Sequence, residues 1–140
     1  MDRPAVRTWP AAVVASALVA WFGMVLHNVA DLPGQDLLSV ETFVPTLITF
    51  VLVVHWFVRP IRRAITWALL VWAWISLIGG VISVLPLGIL PFEPAQTPMH
   101  YVFHALYAGM QVPLIVVTSL WLRDARRDVQ PEEAADGAEP

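Results

Sequence analysis

The sequence predicts an all-α polytopic membrane protein, a four-transmembrane-helix bundle with its N- and C-termini on the cytoplasmic side. Three observations carry that reading. The chain is 58% hydrophobic and 14% charged over 140 residues, with a mean hydropathy of +0.68, which is more apolar than a soluble domain of this size. Its apolar residues fall into four runs separated by short polar stretches. Its basic residues are all arginine and form three clusters: Arg3 and Arg7; Arg59, Arg62 and Arg63; Arg123, Arg126 and Arg127. Four spans with both ends inside place every cluster on the cytoplasmic face and both arginine-free loops outside, as the positive bias of cytoplasmic loops requires. Three or five spans would split the clusters.

The first helix is expected over about 9–30, after a polar arm ending at Thr8, with Trp9 at the interface and Pro10 in the first turn, where proline is tolerated. Ser16, Ala20, Gly23, His27 and Asp31 recur at helical spacing and form a stripe of small residues ending in polar ones, suited to close helix approach. This run is longer than the apolar core of a cleaved signal peptide, about 7–15 residues, and is read as a retained anchor. The connection that follows holds Asp31, Pro33, Gly34 and Asp36, a turn composition.

Ser39 is the expected N-cap of a second helix over about 40–59, with Glu41 in the first turn where the helix dipole favours an anion. This helix is near the lower length limit for a span. The Arg59-Pro60-Ile61-Arg62-Arg63 turn makes it an antiparallel hairpin with a third helix, about 64–86, which is tryptophan-rich and carries Ser76, Gly79, Gly80 and Ser83 at packing intervals. A loop with Pro86, Gly88, Pro91, Glu93 and Pro94 leads to Thr97 and Pro98, the cap and first turn of a fourth helix over about 97–122. Residues 1–125 thus form one four-helix unit, and 126–140 an acidic tail expected to be disordered. The seven tryptophans, mostly near the ends of these runs, are expected to act as interfacial anchors.

Composition also excludes chemistry. Without cysteine there is no disulfide, thiolate metal site, iron–sulfur cluster or c-type haem attachment. The net charge of −3 comes largely from the tail, and no basic face remains for nucleic acid. No Asp or Glu lies inside a span apart from Glu41 at a helix start, which argues against a proton-coupled pump.

The fourth run holds the residues around which a function is built. His100, His104, Tyr107 and Gln111 stand at i, i+4, i+7 and i+11, so they share one helical stripe. Polar groups on a membrane helix face protein or water, because lipid offers no hydrogen-bond partner. Histidines at i and i+4 converge on one point and can share a metal ion. The topology brings His27 and Asp31, at the outer end of helix 1, to the same depth, and Glu41 starts helix 2 there. The expected metal set is therefore His27, His100 and His104 with Asp31 and Glu41, supported by Asn28, Tyr107 and Gln111. Nitrogen and oxygen donors of this kind suit zinc or copper.

Three other readings stand beside it. His27 with His100 or His104 would be axial ligands of a b-type haem between helices 1 and 4. Met24, Met99 and Met110 would favour Cu(I) if they joined the histidines, although methionine in an apolar helix is ordinarily packing. A non-catalytic accessory or assembly subunit, docked by its small-residue faces into a homo-oligomer or larger complex, would need no cofactor. His55 sits alone near the inner face and is read as a packed or snorkelling residue. The expected location is the plasma (cytoplasmic) membrane, the inner membrane of a bacterial cell, and the sequence leaves open whether any reaction is catalysed.

Overall fold

A computed structural model describes residues 8–88 and 94–127. Arg3, Arg7, Glu93 and the tail from residue 128 lie outside the described residues. Four α-helices follow in order: α1 (Trp9–Asp31), α2 (Val40–Trp56), α3 (Arg62–Ser83) and α4 (Pro98–Arg127), with a short 3-10 turn at Arg59–Ile61 between α2 and α3. Helices α1, α3 and α4 are long and apolar enough to cross a membrane. Helix α2 has only 17 residues, about 25 Å at 1.5 Å per residue, which is short of a typical hydrocarbon core.

Three helices differ from the sequence expectation; α3 runs from Arg62 to Ser83 rather than over 64–86. α2 stops at Trp56 because Val58 is extended ahead of Pro60, and Arg62 Nε and Nη2 donate to the Trp56 and Phe57 carbonyls at 2.9 and 3.4 Å. Arg62 also lies over the Trp56 ring at 4.7 Å, so one arginine caps the helix and closes the hairpin. α4 continues to Arg127, so Arg126 belongs to the helix rather than to the tail. Its terminal arginines complement the negative end of the helix dipole.

The helices form a ring in which α4 packs closely on α1 and α3, while α2 rests more loosely on α1 and α3. In lipid the hydrophobic effect does not drive helices together, so close packing and interhelical hydrogen bonds must. Small residues supply the first: Ala17, Ala20 and Ala73 pack on Leu114. At Gly23 an added Cβ would lie 2.7 Å from Met110 Cβ, so glycine sets the closeness of α1 to α4. Tryptophans supply the second. Trp21 Nε1 donates to Thr46 Oγ1 at 3.0 Å, Trp56 to Thr66 at 2.9 Å, Trp72 to Thr49 at 3.1 Å, and Trp9 to Asp124 Oδ2 at 3.1 Å. These four rings join helices to one another, whereas Trp67 and Trp74 are exposed. Bonding between helices thus adds to the interfacial role expected of the tryptophans. Each such bond contributes about 0.6 kcal/mol on average within a bilayer.

The ends of the bundle differ in character. Trp9 meets Asp124, and Arg126 stands over Trp67 at 5.9 Å, so the arginines at 59–63 and 123–127 share one end. The last turns of α1 and α3 and the first turns of α2 and α4 form the other.

The α1–α2 turn at that other end is held by Asp36. Its Oδ1 accepts the Leu38 and Ser39 amides, each at 2.8 Å, and the Ser39 hydroxyl at 3.0 Å. Ser39 occupies the cap position of α2, but its hydroxyl turns back to Asp36 and makes no side-chain cap bond. The Leu38 amide first, then the Ser39 hydroxyl and amide, hold the Asp36 carboxyl below its ordinary value of 3.8. These bonds favour the ionised form, so the order they give is fully present above that value and is lost as pH falls through the lowered one. NMR of the Leu38 and Ser39 amides should show a titration midpoint below 3.8, absent in Asp36→Asn.

Candidate metal centre

At the arginine-free end, α1 contributes His27, Asn28 and Asp31, and α4 contributes His100 and His104. His100 enters α4 at its third residue, and its amide is capped by Thr97 Oγ1 at 3.2 Å, as expected for the Thr97-Pro98 start. One turn later His104 projects from the same face. All three imidazoles are buried. The ligand atoms of His27, Asp31, His100 and His104 all lie within 4.8 Å of one another, the only such acidic or histidine group among the described residues.

The geometry is more specific than proximity. His104 Nε2 lies 3.0 Å from His27 Nε2 and 3.1 Å from His100 Nε2. Each ring's other nitrogen faces a separate acceptor. His27 Nδ1 meets Asn28 Oδ1 at 2.9 Å, His100 Nδ1 meets Asp31 Oδ2 at 2.5 Å, and His104 Nδ1 meets the Gly80 carbonyl at 2.6 Å. A carboxylate oxygen and a backbone carbonyl can only accept, so the His100 and His104 protons reside on Nδ1.

The Asn28 amide is oriented by the same logic. Its Nδ2 donates to the Glu41 carbonyl at 2.9 Å and to Thr42 Oγ1 at 3.2 Å, which leaves Oδ1 toward His27. The proton of His27 is therefore also on Nδ1. In their neutral forms His27 and His100 each direct an Nε2 lone pair at that of His104. Bare lone pairs at 3.0–3.1 Å repel unless a cation lies among them. A proton serves two of them; a metal ion serves all three.

The distances fit such an ion. Zinc–imidazole bonds of about 2.0–2.1 Å in a tetrahedron put ligand nitrogens roughly 3.3 Å apart, a few tenths of an ångström beyond the 3.0 and 3.1 Å seen here. They do not fit a haem held between His27 and His104. Trans axial nitrogens stand about 4 Å apart, twice a metal–nitrogen bond, with a macrocycle plane between them, and His27 and His104 stand 3.0 Å apart with edge-to-face rings. Thioethers are also elsewhere: Met24 Sδ accepts from Asn28 at 3.5 Å, Met110 packs at Gly23, and Met99 is exposed.

The remaining expected residues take other places. Glu41 is exposed and outside the four-residue group; what it offers the site is its backbone carbonyl. That carbonyl is available because Pro45, four residues on, has no N–H to return to it. Tyr107 lies 5.7 Å, ring to ring, from His27, and its ring rests on Gly80. Gln111 is deeper, where its Nε2 donates to the Ala20 carbonyl at 3.1 Å and ties α4 to α1. His55 is exposed, with Nδ1 donating to the Val51 carbonyl at 2.8 Å.

Two positions were not expected as part of the site. Gly80 supplies its carbonyl because it lies in the final turn of α3, where carbonyls lack helical partners, and without a Cβ it lets the Tyr107 ring come close. Pro45 frees the Glu41 carbonyl. Pro45→Ala restores an α-helical partner for Glu41, and the released Asn28 ceases to orient His27. Metal affinity should fall about 10–100-fold, the usual cost of losing such an outer-shell contact, as read by chelator competition, with helicity unchanged by circular dichroism.

No family model matches the chain, and no match was found among curated proteins or solved structures; function is therefore argued from the site alone.

Proposed function

We propose that this is an integral membrane protein that binds one divalent transition metal, zinc or copper, through Nε2 of His27, His100 and His104. The single observation that carries the reading is the convergence of three Nε2 atoms, each ring turned that way by an acceptor on its Nδ1. Outer-shell bonds of this kind fix the tautomer and raise ligand basicity. Nitrogen donors with a nearby carboxylate and no sulfur suit Zn(II) or Cu(II) better than Cu(I).

The orientation belongs to the same proposal. The arginine-bearing end faces the cytoplasm, so the histidines sit just inside the outer boundary of the cytoplasmic membrane, with both chain termini inside. α2 crosses the bilayer despite its length, aided by local thinning or by snorkelling of the arginines at its inner end.

Elemental analysis of the detergent-purified protein, with an absorption spectrum, tests the reading. One zinc or copper per chain that survives gel filtration supports it. A Soret band, or metal below stoichiometry after reconstitution with either ion, overturns it.

A further inference from the structure

We infer that the metal's fourth coordination position is open, taking water or a small monodentate anion, and that Asp31 stands outside the coordination sphere as the acceptor of the His100 proton. The inference rests on the three-histidine metal reading and extends it from binding to the class of ligand the ion exchanges.

Asp31 is the only candidate for a fourth protein ligand in the four-residue group. Its Oδ2 accepts from His100 Nδ1 at 2.5 Å, and the same oxygen lies 3.8 Å from His27 Nε2. The two nitrogens of an imidazole flank one carbon, and their in-plane bonding directions diverge widely. An oxygen bonded to His100 Nδ1 therefore cannot also stand at the about 2.0–2.2 Å a carboxylate ligand needs from an ion held by His100 Nε2. To ligate, Asp31 would have to release His100, leaving a buried Nδ1–H unpaired.

The other neighbours are already engaged. Asn28 uses its amide on His27, Glu41 and Thr42, and Gly80 gives its carbonyl to His104. Access is available on the Asp31 side. The side chains of His27 and Asp31 retain 11% and 10% exposure, and that of His100 retains 6%.

Three histidines with a free fourth position form a site that can polarise a bound oxygen donor or activate water. Small oxygen-donor molecules and anions arriving from the outer face are the ligand class this site takes.

Cobalt(II) substitution with azide titration tests this. Co(II) added to the metal-free full-length protein should give visible bands that azide shifts saturably. Asp31→Asn should bind Co(II) about 10–100-fold more weakly yet show the same bands and the same azide response. Co(II) bound with a spectrum indifferent to azide would overturn the open position while leaving the metal reading intact. An Asp31→Asn spectrum that differs from the parent in the way azide shifts it would place Asp31 on the metal and overturn the inference as well. Failure to bind Co(II) at all would remove both. Should Asp31→Asn not fold, the azide titration of the parent decides alone.

Discussion

His104→Ala abolishes stoichiometric metal binding, whereas His55→Ala leaves it unchanged. His104 is the hub of the cluster, since its Nε2 is the one within 3.0 Å of His27 and 3.1 Å of His100. Its removal leaves one imidazole on α1 and one on α4, too few to hold the ion against water. The loss should exceed the 10–100-fold typical of outer-shell changes. Elemental analysis and chelator competition measure it directly. Thermal unfolding gives an independent reading: metal at 100 times its Kd stabilises the parent by about 2.7 kcal/mol through mass action, and that increment should vanish in His104→Ala. His55 provides the control because it is exposed and bonded to its own helix at the Val51 carbonyl. Equal losses from both variants would mean that the bound metal is scattered over surface imidazoles and that the cluster is not its site.

The histidines were legible in the sequence because their signal is carried by side chains at fixed spacing. His100 and His104 declare a shared face, and the arginine clusters place His27 at their depth. What completes the site was not legible, because it is backbone. The Gly80 carbonyl that orients His104 and the Glu41 carbonyl that orients Asn28 belong to residues whose side chains do neither job. Glu41 was expected for its carboxylate and matters for the atom every residue has. Only Pro45 marked it, and a proline four residues after a carbonyl is as easily read as a kink. The bonds the tryptophans make between helices were not legible for a related reason. Their position near the ends of apolar runs fits interfacial anchoring, but the threonines they donate to lie on other helices, 10 to 25 residues away in the chain at Trp21, Trp56 and Trp72. The short α2 depends on Arg62 reaching back to Trp56, a contact across a turn that apolar periodicity does not encode.

Gly80→Ala lowers both stability and metal affinity, and Gly79→Ala lowers neither. The two glycines are adjacent in sequence and on the same helix, so intrinsic preference treats them alike: alanine should gain up to about 1 kcal/mol at either. Their surroundings differ. A Cβ on Gly79 meets nothing within 4 Å, while one on Gly80 would stand 2.5 Å from Tyr107 Cδ1 and closer still to Cε1. The ring cannot easily yield, for its face is near His27. Overpacking of this kind costs about 1–3 kcal/mol, which outweighs the gain in propensity. Relief comes by moving α3 away from α4, and that movement withdraws the Gly80 carbonyl from His104 Nδ1. Once that bond lengthens, the tautomer that bares Nε2 is no longer enforced, and affinity should fall by about 10–100-fold. Thermal unfolding without metal isolates the packing cost, and chelator competition isolates the effect on the ligand. A Gly80→Ala protein that unfolds early but binds metal like the parent would show that the carbonyl does not govern His104. One that matches Gly79→Ala in both would show that Tyr107 does not rest on the helix at that point.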